Sequence, residues 1–306
     1  MPKKETKKET TLQYTFKSDI LFKMLFVRYP VLLQRLVAAL LSIPFISIDG
    51  FVVENSEIPP EEVGTKFCRL DIHMTVAGKH INLEIQVQNE GNFLERTMFN
   101  WAKMYSSALP KGNNYKELPQ AIVINILGFV QFDCKEVYSR FMPMETTRHE
   151  VLSDKQQYHF FELPKMPDVT TIDTTNEQDL WLALFNAKTE EELQELTTKG
   201  GEVMSQAVTA YRSITADEQY KYLERLRDKR ERDEAQALSN ARDKGRVEGK
   251  IEGKIEGKIE GKIEGAENML LSAIKNKVPI NLIENMRQDA GISLERLAEL
   301  QQQAKL

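Results

Sequence analysis

The chain has little of what disulfide-stapled, zinc-binding or membrane-spanning proteins need. Of its 306 residues only two are cysteine, Cys68 and Cys134, which excludes a disulfide scaffold and suits a reducing compartment. Its four histidines, at positions 73, 80, 149 and 159, lack the spacing of a zinc site. Apolar runs are short. The longest, Leu32 to Pro44 and Ala121 to Val130, break too early to cross a bilayer, and the opening MPKKETKKET carries no apolar signal core. A cytoplasmic protein without a membrane partner is therefore expected. A positive excess of charge is also lacking: a formal net charge of −5 argues against coating nucleic acid by bulk electrostatics, so any such contact must be local. With 41% hydrophobic residues, the chain can still bury one sizeable core and a second small one.

What the sequence does contain is a strongly patterned hairpin. Cys68 to Val76 (CRLDIHMTV) and Ile81 to Gln88 (INLEIQVQ) alternate apolar and polar residues with period two. Leu70, Ile72, Met74, Val76, Ile81, Leu83, Ile85 and Val87 are expected to face a core. Arg69, Asp71, His73, Thr75, Asn82, Glu84, Gln86 and Gln88 then share the other face. With Gly78-Lys79 as a tight type II′ turn, Asp71 would face Gln86, His73 would face Glu84, and Asp71 and Glu84 would be diagonal neighbours. An antiparallel sheet usually leaves one face to water, and carboxylates there mostly do nothing. The competing reading comes from their chemistry: two carboxylates can hold Mg²⁺ with waters left on it, and a third polar side chain can orient the attacking water.

Asp71 followed by Glu84-x-Gln86 on the next strand resembles the PD-(D/E)XK nuclease core, in the form found in the recombination-promoting nuclease (Rpn) and putative transposase family. The likeness extends to Phe16-Lys17-Ser18-Asp19-Ile20-Leu21-Phe22-Lys23-Met24-Leu25-Phe26, to Glu95-Arg96 and Ala102-Lys103-Met104-Tyr105, to Gly112 with Tyr115, and to Phe160-Phe161-Glu162-Leu163-Pro164-Lys165. This ordered series spans most of residues 14 to 300 and is far more specific than a lone E-x-Q. It implies a metal-dependent DNA endonuclease connected with recombination or mobile elements, with an α/β, restriction-endonuclease-like αβββαβ core. Carried over by position, Asp71 and Glu84 are the metal ligands, for Mg²⁺ or else Mn²⁺ or Ca²⁺. Gln86 takes the usual lysine position, and Asp19 is the acidic residue of the first core helix, which by sequence alone is equally a helix N-terminal charge. Two departures stand out. Leu70 replaces the signature proline, which contributes backbone shape only. Gln86 offers dipoles where lysine brings a charge, so a slow enzyme is expected. Arg96 and Lys103 on the helix after the hairpin are candidates for DNA contact, with the Lys-rich start, Lys111 and Lys116, and for each the alternative is a solvated surface charge.

Along the chain, residues 1–11 read as a basic flexible start, 12–170 as the nuclease-like domain, 171–246 as a helical region, 247–265 as a repeat segment and 266–306 as a small helical module. Helix is expected over 16–41 with a break at Pro30, a strand near Ser47 to Glu54, a helix carrying Leu94, Met98, Trp101 and Tyr105 over the hairpin, a buried strand at Gln120 to Leu127, and a further strand at Tyr158 to Leu163. Thr189-Glu190-Glu191-Glu192 and Thr215-Ala216-Asp217-Glu218 both read as capping boxes, with Gly200-Gly201 a stop between them. From Val247 to Gly265 the chain repeats VEGK, IEGK, IEGK, IEGK, IEG, either a flexible tether or a helical stalk rescued by association with copies of itself. Homo-oligomerisation through this C-terminal region is expected. The reading from another class is a catalytically silent DNA-binding or assembly protein built on a nuclease fold.

Overall fold

The computed structural model describes residues 10–48, 50–54, 71–89, 91–109, 112 and 114–304. Two compact units divide the chain, Met1–Arg230 and Glu231–Leu306. The first opens with α1 (Asp19–Arg28) and α2 (Pro30–Leu40). Pro30 starts α2 at a position whose N–H has no helical acceptor, so the break costs no hydrogen bond. A short 3₁₀ turn at Phe45–Ser47 and Gly50 at φ 61° consume most of the strand expected at 47–54. Only β1 (Val52–Val53) remains of it.

β2 (Ile72–Val76) and β3 (Lys79–Gln86) form the hairpin, α3 (Phe93–Ser107) follows, and β4 (Ala121–Leu127) is buried along its whole length. β5 (Tyr138–Phe141) and β6 (Gln156–Glu162) complete a six-stranded sheet in the order β1-β2-β3-β4-β6-β5. β3, β4 and β6 run parallel to their neighbours in that centre, while the outer pairings are antiparallel. β5 is an edge strand that alternation does not announce, since its four residues Tyr-Ser-Arg-Phe are all partly or fully exposed.

Each face of the sheet has its own core. Ile72, Met74, Val76, Ile81, Leu83, Ile85, Ile122, Ile124 and Ile126 pack on one face against α1, α2 and the helices α4 (Glu177–Asn186), α5 (Glu190–Lys199) and α6 (Gly201–Ala216). Residue 170 is therefore no structural boundary. Trp181, Leu184 and Phe185 of α4 share a core with Phe22 and Phe26 of α1 and are fully buried. On the other face Val123, Leu127, Tyr158 and Phe160 meet Phe93 of α3, and Trp101 donates its indole N–H to the Ala121 carbonyl at 2.9 Å. Helices on both faces make the centre of this sheet a buried, parallel one.

The capping box at Thr189 forms as expected, and Gly200 ends α5. The second expected box does not form. Thr215 turns its hydroxyl back to the Tyr211 carbonyl at 3.0 Å, and Asp217 caps α7 (Glu218–Lys275) by accepting from Gln219 N at 2.7 Å. The repeat 247–265 lies within α7 and is α-helical, with Val247, Ile251, Ile255, Ile259 and Ile263 all half-exposed. In the second unit the end of α7 packs with α8 (Ile280–Ala290) and α9 (Leu294–Gln303) around Leu270, Ile283, Leu297 and Leu300. Gly291 closes α8 in the left-handed conformation at φ 69°, and Ser293 caps α9. Among the described residues no helix is long and apolar enough to cross a membrane.

Candidate active site

The hairpin turn differs from expectation by one residue, and this changes which side chains meet. Ala77 (φ 48°) and Gly78 (φ 73°) both take positive φ, the signature of a type I′ turn, and Lys79 enters the ladder opposite Val76. His73 consequently faces Asn82, not Glu84. Ile72 faces Leu83, so the same register carried one residue beyond β2 runs from Asp71 to Glu84, where the expected turn would have made the two diagonal neighbours. Cys68, Arg69 and Leu70 lie outside the described residues, as do Lys3, Lys4, Lys7, Lys8 and Lys111.

The polar face of the hairpin is not the solvated face of an open sheet. α3 lies over it, leaving Glu84 3% and Asn82 1% exposed. A carboxylate so desolvated needs a charged partner, and Arg96 provides it: the guanidinium Nη2 lies 3.2 Å from Glu84 Oε1 and 2.8 Å from Gln86 Oε1. Arg96, expected to point at DNA, is thus turned into the hairpin with 11% of its side chain exposed. Gln86 is held at both ends, because its Nε2 donates to the Gln88 carbonyl at 2.9 Å. Asp71 accepts from His73 Nε2 at 3.0 Å. Burial pulls the His73 pKa down, but the hydrogen bond and charge of Asp71, with the charge of Glu54, outweigh it and leave the imidazole above its ordinary value.

The remaining expected residues make their hydrogen bonds and ion pairs elsewhere. Asp19 is the first residue of α1; its carboxylate accepts from Ile20 N at 2.9 Å and lies 3.5 Å from Arg227 Nη1. Its contacts are those of a helix N-terminal charge, and none is with Asp71, Glu84 or Gln86. Beside it Glu224 of α7, 4% exposed, is bonded by Ser18, by Tyr220 Oη at 2.8 Å and by Arg227 Nη2 at 2.8 Å. Lys103 and Lys116 are exposed.

Sequence patterning passed over Asn125. It is the one polar residue in the apolar run of β4, fully buried, and paired in register with Glu84 of β3, so both side chains lie on the same face. Its Oδ1 has no hydrogen-bond partner, and neither have Asn82 Oδ1 and Nδ2 and Thr97 Oγ1. A lone amide in a strand otherwise built of Ile, Val and Leu was the available signal, since a buried polar group is costly unless something bonds it.

Among the described residues no three His, Cys, Asp or Glu side chains are gathered into a set that would hold a metal unaided. Two carboxylates at neighbouring places on one hairpin face do suit an ion of the Mg²⁺ type, which keeps most of its waters. The unpartnered amide oxygen of Asn125 supplies an acceptor for such waters. In these two respects the donor set fits a hydrated divalent ion on Asp71 and Glu84.

A family model described as PD-(D/E)XK nuclease family transposase matches residues 16–241. No curated protein and no solved structure matches the chain significantly.

Proposed function

The chain belongs to the PD-(D/E)XK nuclease family transposases, and from that membership we propose that it is a metal-dependent DNA endonuclease linked to recombination or mobile elements. PD-(D/E)XK nucleases typically use divalent metals. The observation that carries the reading is a carboxylate, Glu84, buried under α3 on the polar face of the hairpin, with Asp71 one residue before β2 in the register that runs to it. These two residues would hold the ion, with Mg²⁺ the natural choice for an all-oxygen set that retains water. When bound, such an ion acidifies a water and offsets charge on the phosphate. The chain's own residues do the rest. His73 fixes the orientation of Asp71, α3 excludes bulk water from Glu84, and Gln86 anchors the polar group at the end of β3. Asp19, away from that group by its contacts, supports the first turn of α1. Exposed Lys103 and Lys116 remain for the DNA backbone, where each adds a salt-sensitive contact.

Hydrolysis of supercoiled plasmid by purified protein, with Mg²⁺, Mn²⁺ or Ca²⁺ and an EDTA control, tests this reading beside Asp71→Ala. Ion-dependent cleavage lost in the variant supports it; equal inertness of both proteins sinks it.

A second reading keeps the fold and drops the chemistry. Its basis is that Glu84 already has a cationic partner in Arg96 and that Gln86 stands in the lysine position. The chain would then hold DNA and assemble through its C-terminal helices, where the isoleucine row of the repeat presents half-exposed apolar side chains at four-residue spacing. Salt-dependent DNA binding without cleavage in any ion would select it.

A further inference from the structure

We propose that Arg96 is the catalytic cation of this site, delivered from α3 in place of the lysine that Gln86 displaces. The inference rests on the nuclease reading above and deepens it. Hydrolysis joins the oxygen of water to phosphorus and breaks one P–O ester bond, the proton of water passing by way of solvent to the departing alkoxide. The negative charge that builds on the non-bridging oxygens needs a positive partner. A glutamine has only dipoles to offer. A guanidinium has a full positive charge and a planar fork that matches phosphate oxygens.

Four observations single out Arg96. Its guanidinium touches both motif residues, Glu84 at 3.2 Å and Gln86 at 2.8 Å. Gln86 turns its acceptor to the arginine and satisfies its donor on the Gln88 carbonyl, so the residue in the lysine position serves to position a cation from elsewhere. Phe93, locked edge-on against Phe129 at 5.6 Å and Phe160 at 6.3 Å, stacks under the guanidinium at 5.2 Å and fixes its direction. Finally, Arg96 lies near the N-terminal end of α3, where a cation stands against the helix dipole. Helix stability does not favour that placement; a site demanding a cation does. With an ion on Glu84 the carboxylate's charge would be shared, and the guanidinium, bonded by Gln86 and stacked on Phe93, would lie beside an oxyanion drawn to that ion.

The alternative is that Arg96 is only the counter-ion of a buried Glu84, and the two roles separate experimentally. The variants are Arg96→Met, Arg96→Lys, Gln86→Lys and the double variant Arg96→Met with Gln86→Lys. Each is read by plasmid cleavage at saturating ion, by Ca²⁺ affinity in calorimetry, and by thermal unfolding. Arg96→Met should bind Ca²⁺ as tightly as wild type or more tightly, its competitor for Glu84 being gone, yet cleave about 10²–10³-fold more slowly. Arg96→Lys should keep more of the rate. Gln86→Lys alone should be slow, because two cations crowd one carboxylate. The double variant should recover about tenfold over Arg96→Met, the worth of one restored charge contact. If Arg96→Met does not fold, the double variant, which retains a cation beside Glu84, decides by exceeding Gln86→Lys or failing to. Cleavage by Arg96→Met at the wild-type rate overturns the inference alone, as does a rate loss fully matched by lost Ca²⁺ affinity. A wild-type protein inert in every ion overturns the nuclease reading and this inference together.

Discussion

Asn125 of β4 lies beside Glu84 of β3 on the same face of the sheet, fully buried, with its amide oxygen unpartnered. An orphaned acceptor of this kind costs stability that a site can recover only when it is filled. Replacing it with Val, which suits the neighbouring Ile124 and Ile126, removes the orphan and should stabilise the chain by about 1–3 kcal/mol. The same change should weaken Ca²⁺ binding by about 10–100-fold, as losing an outer hydrogen-bond partner of a metal site does. Chemical denaturation and calorimetry on the one variant read both effects. A variant that is stabilised with unchanged ion affinity would remove Asn125 from the site.

The turn offers a second test, independent of function. Ala77 holds φ 48°, a left-handed conformation that an L-residue with a Cβ adopts at some cost. Asn-Gly is the preferred pair for a type I′ turn. Ala77→Asn should therefore stabilise the first unit by about 0.5–1 kcal/mol, visible as an unfolding midpoint raised by about 2 °C. A destabilised variant would speak against the Ala77-Gly78 turn, and with it against a register that runs from Asp71 to Glu84.

How far these features were legible in the sequence follows from where the information sits. Period-two alternation placed Ile72, Met74, Val76, Ile81, Leu83 and Ile85 on the core side, and all are buried. Alternation cannot fix register, however, because shifting the turn by one residue moves the facing pairs by two and leaves every side chain on its face. Gly78 was visible as a turn residue; that Ala77 would take the other positive φ was not. The burial of Glu84 under α3 is likewise tertiary, invisible to a pattern that reads a polar face as a wet one. Arg96 looked like a surface cation for the same reason. Thr215 resembled an N-cap by spacing, but α6 runs past it to Ala216, and Asp217 takes the role instead. Alternation put Asp71, Glu84 and Gln86 on one face, and the family resemblance added the order of motifs that favours a site over a wet face.

His159 gives a pH dependence with a definite sign. Desolvation, with the nearby Arg140 charge, lowers its pKa from 6.5 to about 4. The neutral ring is well bonded, with Tyr138 Oη 2.9 Å from Nδ1 and Gln157 Oε1, which also accepts from Arg140, 3.1 Å from Nε2. Between about pH 6.5 and pH 4 the unfolded chain binds a proton that the folded chain refuses, so stability falls as pH falls through that window. The whole loss amounts to about 3 kcal/mol. His159→Gln, which keeps the neutral hydrogen bonding and cannot titrate, should flatten this part of the profile. Denaturation midpoints for both proteins at intervals between pH 4 and pH 7 check it, and parallel profiles would refute it.

The repeat in α7 allows its glycines and isoleucines to be separated. Around a helix, the Ile and Gly of each I-E-G-K tetrad lie about 200° apart, so the two rows occupy opposite sides. A Cβ added at Gly249, Gly253, Gly257 or Gly261 meets no atom within 4 Å, and each Gly→Ala change should favour the helix by about 1 kcal/mol. The fourfold variant is expected to exchange backbone amides of residues 247–265 more slowly and to self-associate no less than wild type. Substituting Ile251, Ile255 and Ile259 with Ser should do the reverse, leaving the amides little changed and weakening association in light scattering. Charge adds an orientation. Glu flanks the isoleucine row on one side and Lys on the other, so two parallel copies set Lys against Glu, whereas antiparallel copies set like charges together. A disulfide at Ile251→Cys closing readily between identical copies, when Ile251→Cys paired with Ile259→Cys does not, would support the parallel arrangement; the opposite preference would reverse it.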